Sequence, residues 1–134
     1  MKLVIDEAQT ADARALADAA DVLITSPIAY AEVRGALGRS RAERRFGEAD
    51  LQRAGRELDQ RWVLIAKVDL GDAVAQSAGE IAERHVLQVL DALHIASALA
   101  FAERAVDAIT FVSWDRRQRA GAAAEGLALV PERM

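Results

Sequence analysis

The stretch that decides the fold runs from residue 109 to residue 130 and reads ITFVSWDRRQRAGAAAEGLALV. Short apolar runs at 109–112 and 127–130 enclose a stretch of helix formers over residues 116–125. Such apolar runs are typical of buried strands, whereas the segment between them favours a helix. Strand, helix and strand in this order form one unit of a parallel sheet, because parallel neighbours need a long crossover connection.

The same alternation extends toward the amino terminus. Further apolar runs predict strands at 3–5, 22–24 and 63–65, and helical spacing predicts helices over 10–20, 27–38, 48–61, 72–84 and 89–104. The alternation predicts one α/β domain over residues 1–134, with three layers, α/β/α, around a parallel sheet of four to five strands. Ser26 and Pro27 suit a helix start, and Gly126 suits a left-handed helix end.

Composition excludes several classes of function. The 134 residues carry 17 Lys and Arg against 21 Asp and Glu, a net charge of −4, which excludes a generally basic nucleic-acid coat. The absence of cysteine excludes disulfides and thiolate zinc sites, and two histidines are too few for a His-rich metal site. No apolar run is long enough to span a bilayer, so we expect a cytoplasmic protein with no membrane partner.

Glu32 is the first acid that calls for an explanation. Its neighbours on one helical face are Ile28, Ala29, Gly35 and Ala36, a small apolar stripe that is expected to pack inward. Ser26 as the cap would assign the capping-box position to Ala29 instead. The alternative is a surface glutamate whose carboxylate reaches out to solvent.

Asp91 interrupts an almost wholly apolar run over residues 86–96, which predicts a buried helix. A buried carboxylate costs several kcal/mol unless another group pairs with it. The alternative is a first-turn aspartate that the helix dipole favours by about 0.3–1 kcal/mol. His94 follows one turn later, and we interpret it as a packed, hydrogen-bonded core histidine, although it could serve as a general base.

Asp115 follows the strand at 109–112, and parallel α/β folds bind ligands beyond the carboxyl ends of their strands. The alternative for Asp115 is purely structural. With Gln118 three residues later, it also forms a capping-box pattern for the next helix.

Acids that converge at one edge of a sheet repel one another, by about 4 kcal/mol for a pair at 4 Å and an effective dielectric of 20. Such a cluster persists if it shares protons or binds a cation. Oxygen ligands without cysteine or paired histidines select a hard ion, Mg²⁺ or Mn²⁺. The chemistry that fits such a site is hydrolysis of a phosphodiester, for which the ion activates water and shields the developing charge.

Residues 34–61 form the most basic stretch, with eight arginines against five acids. Two functional interpretations are a surface that follows phosphates and a docking helix for a partner. A solvated helical hairpin explains the same pattern.

Three segments together resemble the PIN domain family, and more narrowly its VapC-type toxin ribonucleases. They are residues 25–33 (TSPIAYAEV), 90–98 (LDALHIASA) and 110–115 (TFVSWD), in the family's order. The resemblance covers residues 4 to 131 and implies a five-stranded parallel sheet. It also implies a Mg²⁺-dependent endoribonuclease of a toxin–antitoxin pair, which cuts RNA, forms homodimers and is neutralised by a VapB-type antitoxin.

The family surrounds its metal with four acids, and Glu32, Asp91 and Asp115 match three of them by position. Ser113 resembles the small hydroxyl residue that often accompanies the last acid. Asp6 is the candidate for the fourth, which ends the first strand in the family, but it precedes Glu32 by only 26 residues.

Two interpretations of Asp6 remain. In one, residues 1–6 are a shortened first strand and Asp6 is the fourth ligand. In the other, which we favour, residues 2–7 match the helix after that strand and the chain begins late. The resulting alternative function is an inactive PIN-fold relic that only binds an antitoxin.

Overall fold

The computed structural model describes residues 15, 16, 18, 20, 22–106 and 108–133. The predicted strand at 3–5, Asp6 and most of the predicted helix over 10–20 lie outside the described residues. Between residues 24 and 130 the chain has a mixed α/β fold, as predicted. Its elements are β1 (Ile24–Thr25), α1 (Ile28–Ala42), α2 (Glu48–Trp62), β2 (Ala66–Lys67), α3 (Asp72–His85), α4 (Val89–Ala102), β3 (Thr110–Val112), α5 (Arg116–Ala124) and β4 (Ala128–Val130).

The described strands form two sheets of two strands, β1 with β2 and β3 with β4. Strands β3 and β4 run parallel, with Phe111 opposite Leu129, as the pattern over residues 109–130 predicts. The chain divides into two compact units, Met1–Ala66 and Lys67–Met134. No helix within the described residues is long and apolar enough to cross a membrane.

The predicted strand at 63–65 is wrong in position, because these residues form the turn that terminates α2. The Leu64 N–H donates to the Arg61 carbonyl at 3.0 Å, and the Ile65 N–H donates to the Trp62 carbonyl at 3.2 Å. The strand therefore begins only at Ala66. Val63 and Leu64, predicted to be buried, are 76% and 82% exposed.

In the first unit, α1 and α2 pack as a helical hairpin around Val33, Leu37 and Leu58. Helix α1 begins as predicted, since Pro27 already has helical backbone angles and the Ile28 N–H donates to Ser26 Oγ at 3.3 Å. The buried residues of α1 recur at helical spacing. They are Ala29, Val33, Leu37 and Ser40.

The basic stretch over residues 34–61 forms this hairpin, and its acids neutralise most of its arginines. Each of the five acids forms an ion pair with one arginine, at N···O distances of 3.0–3.3 Å. Arg39, Arg44 and Arg56 form no ion pair with the described residues. Most of the hairpin's charge is thus balanced locally, which fits a solvated hairpin.

One polar network crosses the hairpin from α1 to α2. The Tyr30 hydroxyl donates to Asp59 Oδ1 at 2.7 Å, and Arg34 donates to Tyr30 Oη and to Asp59 Oδ2, both at 3.0 Å. The guanidinium of Arg34 lies where a Cβ on Gly55 would stand, so the network depends on the glycine. The Tyr30 hydroxyl, followed by Arg34, holds the pKa of Asp59 below its ordinary value of 3.8.

We expect the network to stabilise the hairpin above about pH 4 and to lose this effect in acid. A carboxyl whose pKa is lowered by folding stabilises above its unfolded pKa, and the contribution disappears as pH falls through the folded pKa. Asp59→Asn should therefore destabilise the protein more at pH 6 than at pH 3 in urea unfolding. The control is Glu57→Gln, which lies in the same helix. An Asp59→Asn effect that is equal at both pH values would contradict the prediction.

In the second unit, α3 and α4 pack together with β3 and α5 around one apolar core. Its fully or nearly buried members are Val74, Ala78, Ile81, Ala92, Ile95, Ala96, Phe111 and Ala122. The side chains of β3 alternate, with Phe111 buried and Thr110 and Val112 exposed, so only one face of this strand enters the core.

Gly126 terminates α5 as predicted, two residues after the last helical residue, Ala124. Gly126 has a φ of +90°, its N–H donates to the Ala123 carbonyl, and the Leu127 N–H donates to the Ala122 carbonyl, both at 3.0 Å. These two bonds form a Schellman motif, for which glycine is preferred. The motif turns the chain from α5 into β4.

Helix α3 ends in the same left-handed conformation, but at a valine. Val86 has φ 52° and ψ 53° and is 81% exposed. This conformation costs an L-residue roughly 1–2 kcal/mol, and β-branched side chains tolerate it poorly.

Val86→Gly should raise the free energy of unfolding by about 0.5–1 kcal/mol, measured in urea. The released strain exceeds the entropy that glycine adds to the unfolded chain, and little burial is lost. Val106→Gly is the control, since Val106 is also exposed but has no positive φ. If both substitutions destabilise equally, the backbone of Val86 is not strained.

Candidate metal-binding acids

Asp115 directly follows the turn after β3 and caps α5, so both of its predicted positions are confirmed. Its Oδ1 accepts the Gln118 N–H at 2.9 Å. Its Oδ2 accepts no hydrogen bond from the described residues. Asp115 is exposed.

Of the two hydrogen bonds in the capping box predicted from Asp115 and Gln118, only the one from the Gln118 N–H to Asp115 Oδ1 is present. The Gln118 side chain does not reach the Asp115 N–H. Instead, its Oε1 accepts the Ser113 hydroxyl at 2.7 Å, and the Asp115 N–H donates to Ser113 Oγ at 3.1 Å. Ser113 is buried at the end of β3 and therefore orders the turn that carries Asp115.

Asp91 is the third residue of α4 and lies in its first turn. Its side chain is half-buried and engaged in an interaction with its surroundings. The prediction of a helix buried on nearly every side is wrong for this turn, because Val89 and Leu90 are 66% and 41% exposed. The turn lies at the entrance of the helix, ahead of the buried residues Ala92, Ile95 and Ala96.

Helices α4 and α5 approach each other closely at Gly121. A Cβ on Gly121 would lie 2.7 Å from Leu87 Cδ1 and 3.3 Å from Ile95 Cδ1. Ile95 lies one turn after Asp91, and Gly121 belongs to the helix that Asp115 caps. Asp91 and Asp115 are thus carried by two helices that pack against each other.

Glu32 lies in α1 and belongs to the first unit, whereas Asp91 and Asp115 belong to the second. It is half-buried and engaged by its surroundings. The apolar stripe predicted around it is displaced, because Gly35 is exposed and Val33 is buried. Glu32 therefore borders the packed face of α1 and does not lie at its centre.

The convergence of the acids stays a prediction. Neither unit, taken over its described residues, brings three or more His, Asp or Glu side chains together as a metal-binding group. Asp6 lies outside the described residues. The donor set itself fits a hard cation, since the candidates supply carboxylate oxygens alone.

We assign neither of the two histidines to the candidate metal site. His94 is half-buried in α4 and has an interaction partner, which fits a core histidine. His85 Nε2 lies 3.5 Å from Glu125 Oε2, too far for a good hydrogen bond. His85 borders a cavity of about 330 Å³ that none of the candidate acids lines.

Sequence reasoning missed Arg119. It belongs to a run of charged and polar residues over 115–119 that is typical of a solvated helix face, yet it is buried. Its partners are backbone carbonyls, which leave no pattern in a sequence. The sequence therefore carries no local signal that marks Arg119.

Comparison with known proteins agrees with the segments at 25–33, 90–98 and 110–115. The PIN domain family model matches residues 1–123. Ribonuclease VapC45 of Mycobacterium tuberculosis (strain CDC 1551 / Oshkosh) and Ribonuclease VapC49 of strain ATCC 25618 / H37Rv are each 35% identical over 134 residues. Each alignment covers 100% of this chain and 91% of the relative. No solved structure matches the chain. The chain belongs to the PIN domain family.

Proposed function

We propose that this protein is a Mg²⁺- or Mn²⁺-dependent endoribonuclease, the toxin of a type II toxin–antitoxin pair. The observation that carries the proposal is the placement of Asp91 and Asp115. One lies in the first turn of α4 and the other caps α5, and these helices pack together at Gly121. The full-length similarity to two proteins named ribonuclease supports the same activity.

In this proposal Asp91 and Asp115 bind the metal. Asp115 would use Oδ2, because Oδ1 is engaged by the Gln118 N–H. Glu32 would bind the ion directly or orient a water, and Asp6 is the candidate for a fourth ligand. When bound, the ion lowers the pKa of water and offsets the charge that develops at phosphorus.

The protein supplies carboxylate oxygens in fixed positions, and the proposed reaction forms no covalent intermediate with the enzyme. Ser113 and Gln118 hold the Asp115 turn through their hydrogen bonds, so the carboxylate does not have to be ordered when the ion binds. The substrate is RNA. The partners we propose are a VapB-type antitoxin and a second copy of this chain.

The test is cleavage of a structured RNA by the 134-residue chain with Mg²⁺ or Mn²⁺, with and without a chelator. We expect fragments only when the metal is present. Light scattering on the same sample, against a chain mass of 14.4 kDa, reports whether the protein is a dimer.

Two outcomes would contradict the proposal. Cleavage that survives the chelator would exclude a metal-dependent mechanism. No cleavage by a folded, monodisperse sample at any metal concentration would favour the second candidate, a PIN-fold module that binds an antitoxin without cutting RNA. What favours that candidate is the position of Asp6, which precedes Glu32 by only 26 residues.

A further inference from the structure

Arg119 is the most buried charged side chain described in the second unit, with 9% of its surface exposed. Its Nη1 donates to the Ser113 carbonyl at 2.7 Å, and its Nη2 donates to the Pro131 carbonyl at 2.6 Å. It forms no ion pair with any described residue. A buried guanidinium without a carboxylate is costly, so these two short bonds are what hold it in place.

The two carbonyls belong to the chain just beyond two neighbouring strands. Ser113 follows β3 and Pro131 follows β4, and the strands themselves pair in parallel. The planar fork of arginine can donate to both at once, whereas the single ammonium of lysine cannot reproduce that geometry. Arg119 thus ties the ends of both strands to α5.

A chain of hydrogen bonds leads from Arg119 to the Asp115 carboxylate. Arg119 fixes the Ser113 carbonyl, and Ser113 Oγ accepts the Asp115 N–H while its hydroxyl donates to Gln118. The Gln118 N–H then donates to Asp115 Oδ1, and the Arg119 N–H donates to the Asp115 carbonyl at 2.9 Å. Arg119 therefore anchors the Asp115 turn on both sides.

We propose that Arg119 is a positioning residue that holds the Asp115 carboxylate in its metal-binding orientation through Ser113. The inference rests on the proposed function for its consequence, metal binding, but not for the positioning itself. Arg119 touches neither metal nor RNA in this proposal. It orders the ligand, as outer partners of metal-binding side chains do.

The test replaces Arg119 with lysine and uses Arg117→Lys, an exposed neighbour in the same helix, as the matched control. Amide hydrogen exchange by NMR, without metal, reads the Asp115 turn directly. We expect the protection of the Gln118 N–H to fall about tenfold in Arg119→Lys, the loss of about one charge-assisted hydrogen bond. The Leu127 N–H, in the Schellman motif at the other end of α5, should keep its protection.

The second readout is Mn²⁺ affinity by electron paramagnetic resonance. We expect Kd to rise about 10- to 100-fold in Arg119→Lys and to stay unchanged in Arg117→Lys. A residue with only a structural role would lower the melting temperature without moving Kd. If Arg119→Lys does not fold, Arg119→Gln, which buries no charge and can still donate to one carbonyl, takes its place in both measurements.

Unchanged protection at Gln118 in a folded variant would overturn the positioning role. Lost protection with an unchanged Kd would overturn its importance for the metal. Failure of the proposed function appears separately, as a wild-type protein that binds no Mn²⁺, and in that case the exchange measurement still decides whether Arg119 orders Asp115.

Discussion

Asp91→Asn is expected to reduce the rate of metal-dependent RNA cleavage by about 100-fold or more, while the protein stays folded. The substitution removes one negative charge at nearly constant size, so the packing of α4 is kept. Without that charge, the carboxylate pair that we propose to bind the cation loses much of its attraction for it. Initial cleavage rates at saturating Mn²⁺ and thermal unfolding of the same samples measure the two parts of the prediction.

Asp72→Asn is the matched control for this experiment. Asp72 also lies in the first turn of a helix, α3, so both substitutions remove the same favourable interaction with a helix dipole, worth about 0.3–1 kcal/mol. The control should cleave RNA at the wild-type rate. If Asp91→Asn did the same, Asp91 would be a first-turn aspartate with a structural role alone.

We expect two substitutions of Asp115 to distinguish its role as a helix cap from its proposed role as a metal ligand. Asparagine caps helices about as well as aspartate, so Asp115→Asn should keep the bond from the Gln118 N–H and the stability of α5. Because it lacks the charge, it should still reduce cleavage by about 100-fold. Asp115→Ala should lose cleavage equally and also about 1 kcal/mol of unfolding free energy.

Urea unfolding and cleavage assays on both variants and the wild type distinguish the roles. Cleavage by Asp115→Asn at the wild-type rate would mean that Asp115 serves α5 only as a cap. A loss of stability in Asp115→Asn equal to that in Asp115→Ala would show that the charge, and not the hydrogen bond, stabilises the helix start.

Most of the described helices could be predicted closely, because apolar spacing and caps are local properties of the chain. The exception is α1, predicted over 27–38, which extends to Ala42. Helix α2 was predicted over 48–61 and spans Glu48–Trp62. The first two described strands were less predictable. The apolar residues Val63 and Leu64 are typical of a strand, but the backbone N–H groups of Leu64 and Ile65 donate hydrogen bonds to the last turn of α2. The start of the strand therefore depends on the residue at which the helix stops.

The site was predictable to the extent that its residues carry local patterns. Asp115 follows an apolar run and precedes a glutamine at capping distance, so its position at the start of α5 could be derived. The partner of Gln118 could not, because it depends on how Ser113 leaves β3. Arg119 was hidden for a related reason, since its two acceptors come from separate parts of the backbone.

Gly121 has a consequence for the spacing of the helices that carry Asp91 and Asp115. With no side chain at this position, Ile95 of α4 and Leu87 just before α4 rest directly on the backbone of α5. The smallest residue in this contact thereby sets how near the two acid-bearing helices can lie, at a point where neither candidate acid stands.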